Sequence, residues 1–253
     1  MGRGRKIGIG LLVMLVLLLG LVIIADRVGA GVAEDRIAQQ AADELKKAGA
    51  TTASQPKVEI GGFPFLTQVL GGNYERITIT ADKPQSEDIK LETMTIVATD
   101  VEAAASDLLN GRGPVTANEI TGTATMSWDT VRSLISLANL PVPFDPAQLQ
   151  VKVVNNNVEL RLPLDLGGFK TTLVAKGTIA VADGKVDLKL SDIQAEGVNL
   201  PAAAQRILNT IKNRLTASIR TPRMPYTLTI KSVDTSADGV KVTATAADVQ
   251  LVS

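Results

Sequence analysis

KVEIGGFPFLTQVLGGNYERITITADKP, residues 57–84, carries the reading of the fold. Lys57 to Ile60 reads as a short strand, and Thr67 to Leu70 supplies a helical turn. Tyr74 to Ala81 alternates, with Glu75, Ile77, Ile79 and Ala81 on one face, as a half-buried strand does. Between the strands, glycine pairs at 61–62 and 71–72 bracket a stretch without charge. It holds Phe63 and Phe65, two of the four Phe in the chain, on either side of Pro64. Rings on an irregular segment suit two arrangements. They plug one end of a core, or they form a rim or wedge that meets lipid.

Downstream the alternation continues. Ile89 to Val101 repeats it, and Val115 to Met126 reads as a further strand. Val158, Leu160, Leu162 and Leu164 alternate after a turn at Asn155-Asn156-Asn157. Leu173, Ala175, Ile179 and Val181 lead to Asp183-Gly184, a hairpin signal, and Val186, Leu188 and Leu190 return. Tyr226, Leu228 and Ile230 pair with Val240, Val242 and Ala244 across Asp238-Gly239.

Helical spacing interrupts the strands. Ile37, Ala41 and Leu45 mark a helix over 33–48 that Gly49 stops. Ala103 to Asn110 suggests a short helix. Ser127 caps another that carries Val131, Leu134, Ile135 and Ala138. The longest amphipathic stripe runs through Leu200, Ala204, Ile207, Leu208, Ile211, Leu215 and Ile219, until Pro222 and Pro225 end it. The class is therefore α+β, with a curved antiparallel sheet wrapping a long amphipathic helix. The same stripes fit a filled core or a lipid-sized cavity.

The chain contains no Cys and no His. That excludes thiolate and imidazole metal sites, cysteine nucleophiles and Ser-His-Asp catalysis. No cofactor motif is present, and no paired-carboxylate motif supports an enzyme. Three of the 26 cations, Arg3, Arg5 and Lys6, lie in the first six residues, so residues 7–253 carry 23 bases against 26 acids. Such a body has no net attraction for a phosphate backbone, and nucleic acid is not an expected partner.

Ile7 to Ala25 is an uncharged, mostly apolar run of 19 residues. At about 1.5 Å per residue it nearly spans a hydrocarbon core of about 30 Å. Residues 1–30 are either a retained signal anchor or a cleaved signal peptide with Val28-Gly29-Ala30 as a loose cleavage site. Residues 31–253 then make one folded domain. Asp26-Arg27 reads most simply as an interfacial charge pair.

The segment 57–84, Asp26-Arg27, Ala33-Glu34-Asp35-Arg36-Ile37 and Arg223-Met224-Pro225-Tyr226 before the last hairpin together resemble the actinobacterial LmeA-like phospholipid-binding family. The resemblance implies a non-enzymatic protein of the cell envelope, on the periplasmic side of the inner membrane. It also implies a fold similar to tubular lipid-binding (TULIP) domains. The implied ligands are phospholipids including phosphoinositides, in support of lipomannan maturation, with an envelope glycosyltransferase as partner. On this reading Phe63, Phe65, Leu66, Val69 and Leu70 contact lipid at the loop, and Ile207, Leu208, Ile211 and Leu215 line an apolar groove. The alternative is a membrane-anchored scaffold that docks an envelope enzyme without lipid cargo.

Cations ahead of an apolar run hold the N-terminus in the cytoplasm. A reporter active only outside the cytoplasm, fused after Ser253, is expected to be active. Activity of a cytoplasmic reporter at the same position would overturn that orientation.

Overall fold

The computed structural model describes residues 3–87, 89–110, 113–138, 145, 148–154, 157–182, 185–196, 199–214, 216–219 and 228–252. Two compact units emerge. The first comprises Met1–Asp82, Thr95–Ile120 and Ala247–Ser253; the second comprises Lys83–Met94 and Thr121–Ala246.

In the first unit the apolar run and the following amphipathic stretch form one helix, α1 (Arg3–Lys47). The sequence separates them at 26–32, but that stretch contains no proline, and Gly29 and Gly31 weaken a helix without breaking it. β1 (Lys57–Gly61), α2 (Phe65–Gly71) and β2 (Asn73–Asp82) follow. β1 and β2 are antiparallel, with Ile60 opposite Ile77 and Val58 opposite Ile79. β3 (Thr93–Glu102) and β4 (Val115–Ser127) flank α3 (Ala105–Asn110). α1 packs on β1, α2 and α3. Its buried residues Ala30, Ala33, Ile37 and Ala38 keep a helical stripe of mostly small side chains, which lets the edge strand β1 approach closely. Glu34 Oε1 accepts the Ile60 N–H at 2.8 Å.

The second unit holds α4 (Trp128–Leu134), β5 (Ile135–Ala138), β6 (Gln150–Val154), β7 (Asn157–Asp165), β8 (Lys170–Ala182) and β9 (Lys185–Glu196). α5 (Ala202–Arg214), β10 (Thr216–Ile219) and β11 (Thr229–Thr235) follow, and β12 (Gly239–Val252) closes the chain. The period-2 pattern of β7 buries Val158, Leu160, Leu162 and Leu164 on one face, and Leu173 on β8 joins them. α5 lays Ala204, Leu208 and Ile211, spaced i, i+4, i+7, on that face. Trp128 packs at its border and donates its Nε1–H to Ser236 O at 3.0 Å. A smaller cluster joins Val186, Ile230 and Ala244.

The strands form two six-stranded sheets, ordered β1-β2-β3-β4-β12-β11 and β5-β10-β9-β8-β7-β6. The α+β class, with antiparallel strands and a helix on an apolar face, matches the TULIP-like expectation. The antiparallel strands are shared between two sheets, because β11 and β12 extend from β4 instead of continuing the hairpins of β6–β9. Two helices are also shorter than their periodicity suggests. α4 ends at Leu134 and α5 at Arg214, and β5 then pairs with β10, Ile135 opposite Ile219 and Ala138 opposite Thr216. Backbone pairing between two short segments, one of them Thr-Ala-Ser-Ile, outweighs a helical repeat of apolar residues. Leu140–Asp145 apart from Asp145, the Asp183-Gly184 turn and Pro222–Tyr226 lie outside the described residues.

Three strands share one irregularity. Asp100, Asp192 and Asp248 adopt positive φ of 48°, 47° and 50° inside β3, β9 and β12. Each precedes an aliphatic residue, Val101, Ile193 and Val249. In β9 the register against β8 shifts between Val174 and Lys176, the mark of a bulge, and Asp192 pairs with Lys176 at 3.1 Å. Aspartate reaches the left-handed region at less cost than β-branched residues do.

Phe65 is 6% exposed and Ile211 is 0% exposed. Phe65→Asp and Ile211→Asp are each expected to bury a carboxylate without a partner and to lower stability by several kcal/mol in thermal unfolding. Phe63, 58% exposed, serves as the comparison. Phe63→Asp is expected to change stability by no more than about 1 kcal/mol. Similar losses for both Phe variants would contradict the placement of the two rings.

Candidate functional site

The connection between β1 and β2 is built from side chains that satisfy its own backbone. Gly62 takes φ +87°, and a Cβ there would lie 2.8 Å from both Gln68 Nε2 and Glu75 Oε2. Only glycine gives the chain room to turn into Phe63-Pro64. Gln68 then bridges the two strands: its Nε2 donates to Gly61 O at 3.1 Å, and its Oε1 accepts the Glu75 N–H at 2.8 Å. Thr67 Oγ1 donates to Pro64 O at 2.8 Å. Gly72, left-handed at φ +68°, ends α2 and donates its N–H to Gln68 O.

The start of α2 is capped from elsewhere in the sequence. Pro64, its N-cap residue, has no side-chain donor or acceptor, and no local side chain caps the helix. Asp26 of α1 supplies the acceptor, its Oδ1 receiving the Leu66 N–H at 2.8 Å. Asp26 is 0% exposed, and its Oδ2 has no hydrogen-bond partner. Arg27 Nε lies 4.0 Å from that oxygen, beyond hydrogen-bonding reach, while the Arg27 guanidinium sits 5.0 Å from the centre of the Phe63 ring. The charge pair expected of Asp26-Arg27 is present as a long one, and each side chain has a second role. The carboxylate reaches into the fold to cap α2, and the guanidinium lies over the Phe63 ring.

The two phenylalanines also diverge. Phe65 turns inward against Gly29 of α1, where a Cβ would lie 3.6 Å from its ring, and meets Tyr74 with centroids 6.5 Å apart. Burial raises the pKa of the Tyr74 phenol. Phe63 faces outward. Leu66 and Leu70, four residues apart on α2, are exposed with it, Leu70 at 88%, and Val69 is half-buried. One ring plugs the unit and the other lies on its surface.

The remaining expected contacts fall in the second unit. Leu208 and Ile211 are buried in its core, and Ile207 is half-buried at the border. Leu215 lies outside the described residues. The loop set and the α5 set belong to different units. Two surface depressions among the described residues lie elsewhere. One of about 650 Å³ is bordered by Asp145, Gln148, Pro163, Asp165 and Lys170, and one of about 530 Å³ by Gly72, Asn73, Glu102 and Pro114. Neither is lined by the expected lipid contacts.

Sequence reasoning missed Asp26, Glu34 and Gln68 as the side chains that position the loop. The signal for Asp26 was its place, an acid set directly against an apolar run. Gln68 left a fainter trace, as an amide inside an otherwise apolar turn of helix.

No curated protein and no solved structure matches the chain. A family model does match it, over residues 24–245, from two residues before Asp26 into β12. The match takes in the Asp26 clamp, the Gly-Phe-Pro-Phe loop and α5 together, and on that extent the chain belongs to the LmeA-like phospholipid-binding family.

Proposed function

We propose that this chain is a non-enzymatic phospholipid-binding protein that carries or transfers lipid at the inner membrane of an actinobacterial envelope. α1 anchors it, and residues 31–253 work as one lipid-binding domain on the extracytoplasmic side. The carrying observation is the family match over 24–245, which takes in residues of both compact units. α1 is long and apolar enough to cross a membrane, which supports the anchor.

Two apolar settings support this reading. Phe63, Leu66 and Leu70 form an exposed patch, with Val69 half-buried beside them and Phe65 fixing the segment from inside. Around α5, Ile207, Ile179, Leu190 and Ile193 are only partly buried at the border of the core that holds Leu208 and Ile211. Acyl chains would occupy that border, with Leu215 as a further contact. The finer parts of the proposal are a phosphoinositide headgroup and support of lipomannan maturation beside an envelope glycosyltransferase.

A photoactivatable phospholipid tests this on the full chain in vesicles. Crosslinks are expected on the peptide that contains Ile207 and Ile211, besides those on α1. Crosslinks confined to α1 would show contact with surrounding bilayer only and would favour the scaffold alternative. Repeating the measurement with inositol and glycerol headgroups reads the headgroup preference.

A further inference from the structure

α1 has two opposite faces where it leaves the apolar run. Asp26, Ala30, Ala33 and Ile37 are buried against the first unit. Ile24, Val28 and Val32, also at helical spacing, are exposed at 66%, 62% and 59%. The exposed apolar stripe therefore continues beyond Ala25, up to the charged Glu34-Asp35-Arg36. By helical rise, Ile7 to Ala25 fills about 28 Å, close to a hydrocarbon core, and Asp26 to Val32 adds about 10 Å, enough to cross one headgroup layer of roughly 5–8 Å.

The loop is fixed at that same level. Leu66 is held by Asp26, Phe63 lies under Arg27, and Phe65 rests on Gly29. Residues 60–72 carry no charged side chain. Leu66 and Leu70 lie on one side of α2, and with Phe63 they leave apolar surface free beside a helix whose own free face is apolar. An exposed ring and a cation that stacks on it are the groups that settle at a membrane interface.

We infer that Phe63, Leu66 and Leu70 form a foot that inserts among the lipids of the membrane crossed by α1, on the side where the body of the chain lies. The occupant of this apolar patch is the bilayer surface itself, not a lipid held as cargo. The foot also requires an uncleaved α1. Cutting after Ala30 would remove the Asp26 acceptor from Leu66 and the Gly29 surface from Phe65. This inference rests on the reading of α1 as a membrane anchor.

The chain has no cysteine, so single labels are simple to place. Full-length Leu70→Cys, Phe63→Cys and Val16→Cys variants, with Asn118→Cys at an exposed position of β4 as the reference, would each carry an environment-sensitive fluorophore in phosphatidylcholine–phosphatidylglycerol vesicles. Lipids spin-labelled near the headgroup or deep in the chain serve as quenchers. Positions 70 and 63 are expected to be quenched several-fold more by the shallow label than position 118 is, and position 16 by the deep label. The intact mass of the membrane-extracted chain is expected to include α1. Quenching at 16 with none at 63 or 70 would overturn the foot while leaving the anchor in place. No quenching at 16, 63 or 70, or a chain that begins after Ala30, would overturn both. Cargo is read separately from crosslinks on the Ile207–Ile211 peptide, so loss of one result does not mimic loss of the other.

Discussion

One hydrogen bond organises the first unit: the Leu66 N–H to the Asp26 carboxylate, at 2.8 Å. It joins two segments forty residues apart, the middle of α1 where its apolar run ends and the start of a seven-residue helix. A helix as short as α2 is marginal by itself, since nucleation consumes most of what its few backbone bonds contribute. The distant acceptor, the Gln68 bridges and the left-handed Gly72 together satisfy both of its ends. Burial of a carboxylate with one oxygen unbonded works against stability, so the clamp is costly as well as specific.

How much of this was legible depended on the range of the interaction. β7, β8 and β9 were readable because their apolar alternation is local, and the structure buries Val158, Leu160, Leu162 and Leu164 as the period requires. α5 was readable through Ile211 but not at its end. Periodicity alone carries the stripe on to Leu215 and Ile219, and nothing near Thr216 reveals that Ile135–Ala138 waits to pair with it. The same absent partner made α4 look longer. The loop was legible as unusual, not as arranged. That Phe65 turns in and Phe63 turns out depends on Gly29 and Arg27, both far upstream.

The family assignment and the geometry bear on different questions. Membership in a phospholipid-binding family says what class of ligand the chain handles. The geometry says which side chains are free to meet one. Phe63, Leu66 and Leu70 are free, Ile207 is half-covered, and Leu208 and Ile211 are spent on the core of the second unit. An apolar side chain at a core centre holds the fold, and its neighbours at the border are those that a ligand can reach without unfolding it.

The unbroken course of α1 has a mechanical consequence. From Arg3 to Lys47 it is a single helix of about 68 Å by its rise, without the flexible tether that commonly separates an anchor from its domain. On the proposed anchoring, with its apolar half seated in a bilayer, the first unit would be carried as the head of a rod. It would sweep no sphere on a leash, and its reach would be set by rigid length and tilt. Encounters with soluble or facing partners would then be confined to a thin slab above the membrane, and the search for them would become lateral diffusion in two dimensions.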